Sequence, residues 1–478
     1  MLAFTAHSLP QLRILSEEQI RDLHQATLEI LERTGVKVKN ERAVSLLQQA
    51  GARTKGERVW IPAYLVEQAL RRAPERVVLS TRTGKRTMPL EEGKVFFGTG
   101  SDTPFTIDPY TRERRGSKYQ DLVNIARLCD ALPNMDFVMS MGIVHDRPIA
   151  NNYLNGFAAM MEGSDKPIIF TANDAKDMAD IHEMAAAAVG GREALRANPF
   201  LLLYDEPISP LIHSPDSTAK IMYCAEHQIP VTYLSGMLLG GTAPVTLAGA
   251  VAMANAECLS GLLIHQLVSP GAPFVYGANV VPFDMRTSVC AYGGPEFSLT
   301  NSAFAELARF YRLPVWGLAG AADAKVVDAQ AGAEAMMSIT AAILARGNLV
   351  HDVGYLESGL TSCLEMIVLC DELIRMAGTF ARGINTDPEH LAQEVIDAVG
   401  PGGHFLDTDH TVKHFRREHF LPKLMERRNY AGWVAGGSQD TAARLNARVL
   451  EILAEHKPAP LPEAAQQTIA RVLATRGN

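Results

Sequence analysis

Cysteine is scarce in this chain and never paired at short spacing. Six cysteines, at 129, 224, 258, 290, 363 and 370, are scattered through 478 residues with no CxxC. That argues against a disulfide framework and against a cysteine-rich zinc site. No run of 18 uninterrupted apolar residues occurs, so no membrane span is expected. The first residues, MLAFTAHSLPQLRILSEEQ, lack a basic leader followed by an apolar core, and a cytoplasmic location is the expectation. A basic stripe with interleaved aromatics is also missing and the net charge is −8, so nucleic acid is not an expected partner. No GxGxxG opens a helix after a strand, which removes the usual mark of a dinucleotide site.

What is present is an ordinary globular balance, 47% apolar and 21% charged. The middle of the chain has a beat. Short β-branched or aromatic runs recur, each reaching a Gly, Asn, Asp or Ser at or near its end: KVFFGTG (94–100), FVMSMGIV (137–144), PIIFTA (167–172), FLLLYDE (200–206), PVTYLSG (230–236), PFVYGAN (273–279), PVWGLAG (314–320) and NLVHDVG (348–354). Their starts lie 30 to 43 residues apart. Between them run Ala-, Leu- and Met-rich segments with apolar residues at three-and-four spacing, such as AKDMADIHEMAAAAV and LTSCLEMIVLCDELIRMAG. Strand, helix, strand at this interval means parallel pairing through crossovers. Eight units predict a (β/α)8 barrel, the TIM barrel of the α/β class, with an open doubly wound sheet as the competitor. The expected divisions are 1–93, an N-terminal α/β extension of helices and a hairpin; 94–385, the barrel; and 386–478, a C-terminal helical extension.

A barrel of this kind places its site at the carboxyl ends of the strands. The sequence therefore nominates Phe97 and Asp102 after strand 1, Tyr204 and Glu206 after strand 4, Tyr276 and Asn279 after strand 6, and His351, Tyr355 and Glu357 after strand 8. Two readings of His351 and Asp352 compete, helix capping or strand bridging on one side and a substrate pocket on the other. Alternation along a strand predicts that the two do not both point inward. Aromatics grouped with carboxylates suit a quaternary ammonium through cation–π attraction. His351, Glu357 and Glu206 are the candidate catalytic groups; Phe97, Asp102, Tyr204, Tyr276, Asn279 and Tyr355 are candidate substrate contacts. His410 and His414, four apart, could share a helix face toward a metal, but no cysteine or well-spaced acid completes a site, and no metal is expected.

Several long stretches resemble the trimethylamine methyltransferase family, the corrinoid-dependent amine methyltransferases. They are SEEQIRDLHQATLEILERTGVKV, NSAFAELARFYRLPVWGLAGAADAKVVDAQAGAEA, NLVHDVGYLESGLTS and HTVKHFRREHFLP, and the similarity spans roughly residues 10 to 455. The resemblance implies a barrel enzyme that moves a methyl group from an amine nitrogen to the cobalt of a separate corrinoid protein. Cobalamin then sits on the partner, and the chain binds no cofactor of its own. The founding members carry pyrrolysine in the region after strand 7, near Gln330 here, and use trimethylamine; the resemblance thus makes Gln330 a further candidate substrate contact. This chain shows none, so it resembles instead the members that use glycine betaine or a related quaternary amine. A homo-oligomer is expected, with the methylated amine and the corrinoid protein as partners. Three alternatives stay open: a lyase or aldolase using Lys325 as a Schiff-base lysine, a non-catalytic betaine-binding protein, and a methyltransferase with a tetrahydrofolate acceptor.

Overall fold

The computed structural model describes residues 1–3 and 10–476; residues 4–9, part of the N-terminal stretch quoted above, and 477–478 lie outside the described residues. Eight parallel segments form its centre. They are β1 (Lys94–Phe97), β2 (residues 137–138), β3 (Ile168–Phe170), β4 (Leu201–Asp205), β5 (Val231–Tyr233), β6 (Phe274–Val275), β7 (Trp316–Leu318) and β8 (Leu349–His351). β3 to β6 pair in sequence order, and β7–β8–β1 form a second ribbon. Three single parallel bridges, Gly98–Phe137, Val138–Ile168 and Tyr276–Val315, join the ribbons into a ring. The ring closes, which removes the open doubly wound alternative.

Each strand is followed by a helix on the outside: α1 (Tyr119–Ala131), α2 (Asn152–Gly163), α3 (Ala175–Val189), α4 (Pro215–His227), α5 (Leu247–Val268), α6 (Pro295–Tyr311), α7 (Ala329–Ala345) and α8 (Leu364–Ala381). Local chemistry sets several of their ends. Asp174, Ser214 and Asp328 accept backbone N–H bonds at the starts of α3, α4 and α7, satisfying donors that no helical carbonyl reaches. The ladders are shorter than the predicted runs. Beyond them the chain turns through left-handed residues, Asp102 at φ 56°, Met141 at φ 49° and Asp352 at φ 74°, and the strand ends become site loops.

Alternation sorts the strand residues. Phe96, Phe137, Ile169, Leu202, Val275, Trp316 and Leu349 fill the barrel interior, while Phe97, Val138, Leu203, Tyr276 and Val350 pack in the layer between strands and helices. The antiparallel hairpin Val77–Ser80 with Thr87–Leu90 closes the floor, adding Val77, Leu79, Met88 and Leu90 to the interior cluster. The N-terminal helices Glu17–Glu29, Glu41–Ala50 and Ala63–Arg72 lie over α5. That cover explains why α5, 22 residues and apolar enough by length and composition to cross a membrane, is 83% buried across its most apolar window. Its Asn255 donates to Thr27 and to Tyr311 and accepts from Tyr276.

The C-terminal region returns over the outside. Helix Thr441–Glu455 packs on α8 and α1, and Glu463–Arg476 packs on α3. Arg476 bridges Asp177 at 3.1 Å and Asp180 at 2.6 Å. The segment read as one helix at EHLAQEVIDAV breaks at Ala392, φ 51°, into Pro388–Leu391 and Gln393–Val399. The segment KHFRREHFLPKLMERR keeps helix only to Glu418, because Pro422 and the turn before it cannot continue the ladder.

Candidate active site

The mouth gathers inward-facing side chains from four strands. From β4, Tyr204 donates its hydroxyl to the Glu206 carboxylate, two residues on and on the same face. Asn279, beyond β6, donates Nδ2 to the Tyr204 hydroxyl at 3.3 Å. Trp316 of β7 and His351 of β8 lie against the same ring. The centroid separations are 5.2 Å for Tyr204 to Trp316, 5.7 Å for Tyr204 to His351 and 4.4 Å for Trp316 to His351. Small residues make the room. A Cβ on Gly236 would fall 2.9 Å from Glu206 Oε2, and one on Gly277 would fall 2.9 Å from Trp316. Either lies closer than real side chains tolerate.

Asp352 joins the group, against the expectation from alternation. The strand ends at His351, and the left-handed turn at Asp352 swings its carboxylate back, leaving Oδ1 2.8 Å from His351 Nδ1. That approach lacks hydrogen-bond alignment, and neither nitrogen of His351 has a hydrogen-bond partner. Trp316 Nε1, Asn279 Oδ1 and Asp102 Oδ1 are likewise buried and unpaired. Buried polar atoms without partners are uncommon, and each costs about 1–3 kcal/mol. Their concentration at one strand end makes this the candidate functional face of the barrel.

Burial dominates the electrostatics. It pushes Glu206 up to about 7, opposed by the Tyr204 hydrogen bond and reinforced by Asp205, Asp102 and Asp352. It pushes Asp102 up to about 6, against the pull of Tyr153, which bonds it at 3.3 Å, and of Lys220. Asp205 faces the opposite way, where Lys220 meets it at 2.9 Å. Among the described residues, no lysine or arginine forms an ion pair with Glu206, Asp102 or Asp352. Tyr355 donates to the Ser101 carbonyl, and a Cβ on Gly100 would overlap both Tyr355 and Asp352. Tyr292, on the loop after β6, stacks on Phe297 at 5.2 Å and packs against the interior cluster. Its hydroxyl is raised by burial and by the fields of Asp352 and Glu206.

Of the nominated residues, Tyr204, Glu206, Asn279 and His351 meet directly, and Asp102 and Tyr355 border them. Four others are placed differently. Phe97 and Tyr276 have outward parity; Phe97 packs under the helices and Tyr276 donates to Asn255 at 2.8 Å. Glu357 is held at the rim by Arg114 at 2.8 Å and Thr361 at 2.6 Å. Its carboxyl lies below the ordinary range, since those bonds outweigh the upward push of burial. Gln330, exposed in the first turn of α7, donates to Glu334 at 2.8 Å. Lys325 is exposed and donates to the Asp323 carbonyl. It has none of the desolvation that activates a Schiff-base lysine. His414 bonds Glu389 at 3.1 Å, and His410 meets the Glu389 carbonyl at 3.2 Å. Trp316 and Tyr292 escaped nomination. Two-residue periodicity from Leu318 would have found Trp316; Tyr292 sits in a loop with no period to read.

A (β/α)8 barrel whose mouth collects aromatic rings and buried carboxylates from several strand ends has the architecture of a barrel enzyme. Comparison with known proteins narrows the class. The profile described as trimethylamine methyltransferase (MTTB) matches residues 2–478. The chain is 34% identical over 467 residues to "Trimethylamine methyltransferase MttB" of Desulfitobacterium hafniense (strain DSM 10664 / DCB-2), covering 96% of this chain and 92% of that protein. It is 33% identical over 471 residues to "Glycine betaine methyltransferase" of Desulfitobacterium hafniense (strain Y51), covering 98% of each. Among solved structures, the Methanosarcina barkeri monomethylamine methyltransferase (MtmB) superposes with a TM-score of 0.53 at 11% identity, covering 93% of this chain and 88% of that one. That likeness shows the fold. The chain belongs to the trimethylamine methyltransferase family, and it is a methyltransferase.

Proposed function

We propose that this enzyme takes a methyl group from a quaternary amine, glycine betaine or a close relative, and passes it to cobalt(I) on a separate corrinoid protein. The observation that carries the substrate class is the Tyr204–Trp316–His351 cluster with Glu206 beside it. Aromatic faces attract a methylated ammonium by about 0.5–2 kcal/mol each, and the buried carboxylate supplies the counter-charge. The same buried group has unpaired donors. The Trp316 N–H and a ring nitrogen of His351 can receive the carboxylate of a betaine, so the one cluster carries groups for both ends of a zwitterion.

The chemistry asks little of the chain beyond placement. The acceptor on the partner is the nucleophile, so no serine, cysteine or lysine need attack. The pocket must hold one N–CH3 bond in line with the incoming acceptor, and positioning of that kind supplies much of a barrier reduction. The nitrogen loses its charge as the methyl leaves. Interactions that hold the cation equally in ground and transition states therefore do not raise the rate. Glu206 fits this demand, because a carboxyl pushed up to about 7 is ionised by the bound cation and readily takes a proton once the amine is neutral. A cytoplasmic location suits both the reduced acceptor and the six free cysteines.

The direct test mixes purified protein with a cobalt(I) corrinoid protein and a panel of methylated amines, following the cobalt spectrum. Glycine betaine or a related quaternary amine should discharge the cobalt(I) band, and trimethylamine should not. Turnover with trimethylamine alone overturns the substrate assignment. Transfer to tetrahydrofolate without any corrinoid overturns the acceptor.

A further inference from the structure

Behind Glu206 lies a charge pair to which methyl transfer, as described above, gives no work. Among the described residues Lys220 is the only buried lysine, at 8% exposure, and it meets Asp205, at 5% exposure. Taking two charges out of water is costly, and a buried pair of this kind is weak evidence for stability. Its contacts run to the site instead. Ser217 and Lys220, three residues apart, share the buried face of α4. Lys220 Nζ donates to the Ala172 carbonyl beyond β3 at 2.7 Å. Asp205 Oδ1 lies 2.9 Å from Lys220 Nζ and accepts from the Glu206 N–H at 3.0 Å. Asp205 Oδ2 has no hydrogen-bond partner. On the other side, Ser217 Oγ donates to the Glu206 carbonyl at 2.6 Å. Glu206 is thus gripped by both its N–H and its C=O, while its side chain turns to Tyr204.

The same pair puts a charge beside the mouth. The titratable groups around Glu206 come from five places. They are Tyr204 and Asp205 of β4, Asp102 after β1, Tyr292 after β6, His351 and Asp352 at the end of β8, and Lys220 of α4 behind Asp205. After burial and the Tyr204 bond, Asp205 acts most strongly on the Glu206 carboxyl, and it pushes upward. Burial pushes Asp205 up in turn, and Lys220 opposes that push. Lys220 therefore favours the ionised form of Asp205, and the ionised form is the one that acts on Glu206.

We propose that Asp205, held by Lys220, is a positioning residue for Glu206. With Ser217 it fixes the Glu206 main chain, and its negative charge opposes that of the neighbouring carboxyl until a cation offsets it. This role rests on Glu206 being the counter-charge for the amine, as proposed above. Asp205→Asn separates charge from geometry. The amide oxygen at Oδ1 keeps both contacts, and the amide NH2 falls where Oδ2 has no partner.

Infrared spectroscopy of the substrate-free enzyme reads Glu206 directly, through the protonated-carboxyl band that Glu206→Gln removes. Its midpoint should lie near the value of about 7 in the wild type. In Asp205→Asn it should fall by about one pH unit. Affinity for glycine betaine should then rise about fivefold at about pH 6 and stay unchanged at about pH 9. A residue that only packs would weaken binding at every pH and leave the midpoint in place. The double variant D205N/K220M leaves no buried charge unpaired, so it covers the case in which Asp205→Asn does not fold. Its midpoint should fall between those of Asp205→Asn and the wild type. Ser217→Ala keeps both charges. It should leave the midpoint in place while weakening betaine binding about fivefold across the pH range. A midpoint unmoved in both Asp205 variants overturns the role, and so does a Ser217→Ala midpoint shifted as far as theirs. The band needs no substrate. An enzyme that shows the shift yet ignores glycine betaine refutes the proposed substrate and leaves the role of Asp205 standing.

Discussion

The two ends of the barrel are built from the same alternating strands and serve opposite ends. At the floor, Leu79, Met88 and Leu90 of the hairpin pack with Phe96 and Leu349 in one apolar cluster. At the mouth, a few residues further along the same strands, Tyr204, Glu206, Asn279, Trp316, His351 and Asp352 crowd together with unpaired buried nitrogens and oxygens. The floor is where the fold gains its stability. The mouth gives some of it up, since each unpaired buried group costs about 1–3 kcal/mol. Conflict between local rule and global fold concentrates where the function is.

Substitutions at the two ends should therefore separate stability from activity. Leu79→Ala at the floor is expected to cost about 2–5 kcal/mol of stability, read from the urea midpoint, while leaving kcat/KM of the folded fraction unchanged. Glu206→Gln at the mouth should do the reverse. We expect about a 100-fold loss of kcat/KM, some 2.7 kcal/mol, with the fold intact. If the floor variant loses activity faster than stability, or the mouth variant unfolds, the division between the ends is wrong.

Glu206 also gives the mouth a pH signature. Its folded value of about 7 stands above the ordinary glutamate value of about 4.3. The stability it contributes is thus fully present below about 4.3 and lost as the pH rises through about 7. Binding runs the other way, because a cation favours the ionised carboxylate. Affinity for a quaternary amine should weaken about tenfold per pH unit below about 7 and level off above it. Calorimetry in two buffers of different ionisation enthalpy should detect a proton released on binding at pH 6. Glu206→Gln should flatten both curves. The smallest effect is expected of Tyr204→Phe, which removes one hydrogen bond to that carboxylate. Roughly fivefold in KM, about 1 kcal/mol, would match a single bond, and a loss as large as that of Glu206→Gln would move the catalytic weight to the tyrosine.

The fold could be read from the sequence because its signal is repeated eight times. Buried parallel strands are apolar on both faces, and the crossover length fixes the beat. The site was legible only as far as alternation holds. Tyr204 and Glu206 are two apart and share a face, and His351 is in step with Leu349. Phe96 and Phe97 are both aromatic, so composition could not say which one turns inward; the ladder register decides for Phe96. Asp352 was unreadable for a different reason, since a left-handed residue at the strand end cancels the period-two rule. Glu357 was misleading because its partner Arg114 lies 243 residues away, and no local pattern announces such a pair.

Trp316 permits the most direct measurement. Only two other tryptophans exist, Trp60 and Trp433. The first stacks under Arg53 at 4.0 Å and the second bonds the Gln439 carbonyl at 3.0 Å, and neither belongs to the mouth cluster. In a W60F/W433F chain all tryptophan emission comes from the mouth. Titration with glycine betaine should give a saturable change over the same concentrations that drive methyl transfer, abolished by His351→Ala. Methyl transfer that saturates while the Trp316 emission stays flat would mean the amine is held somewhere else.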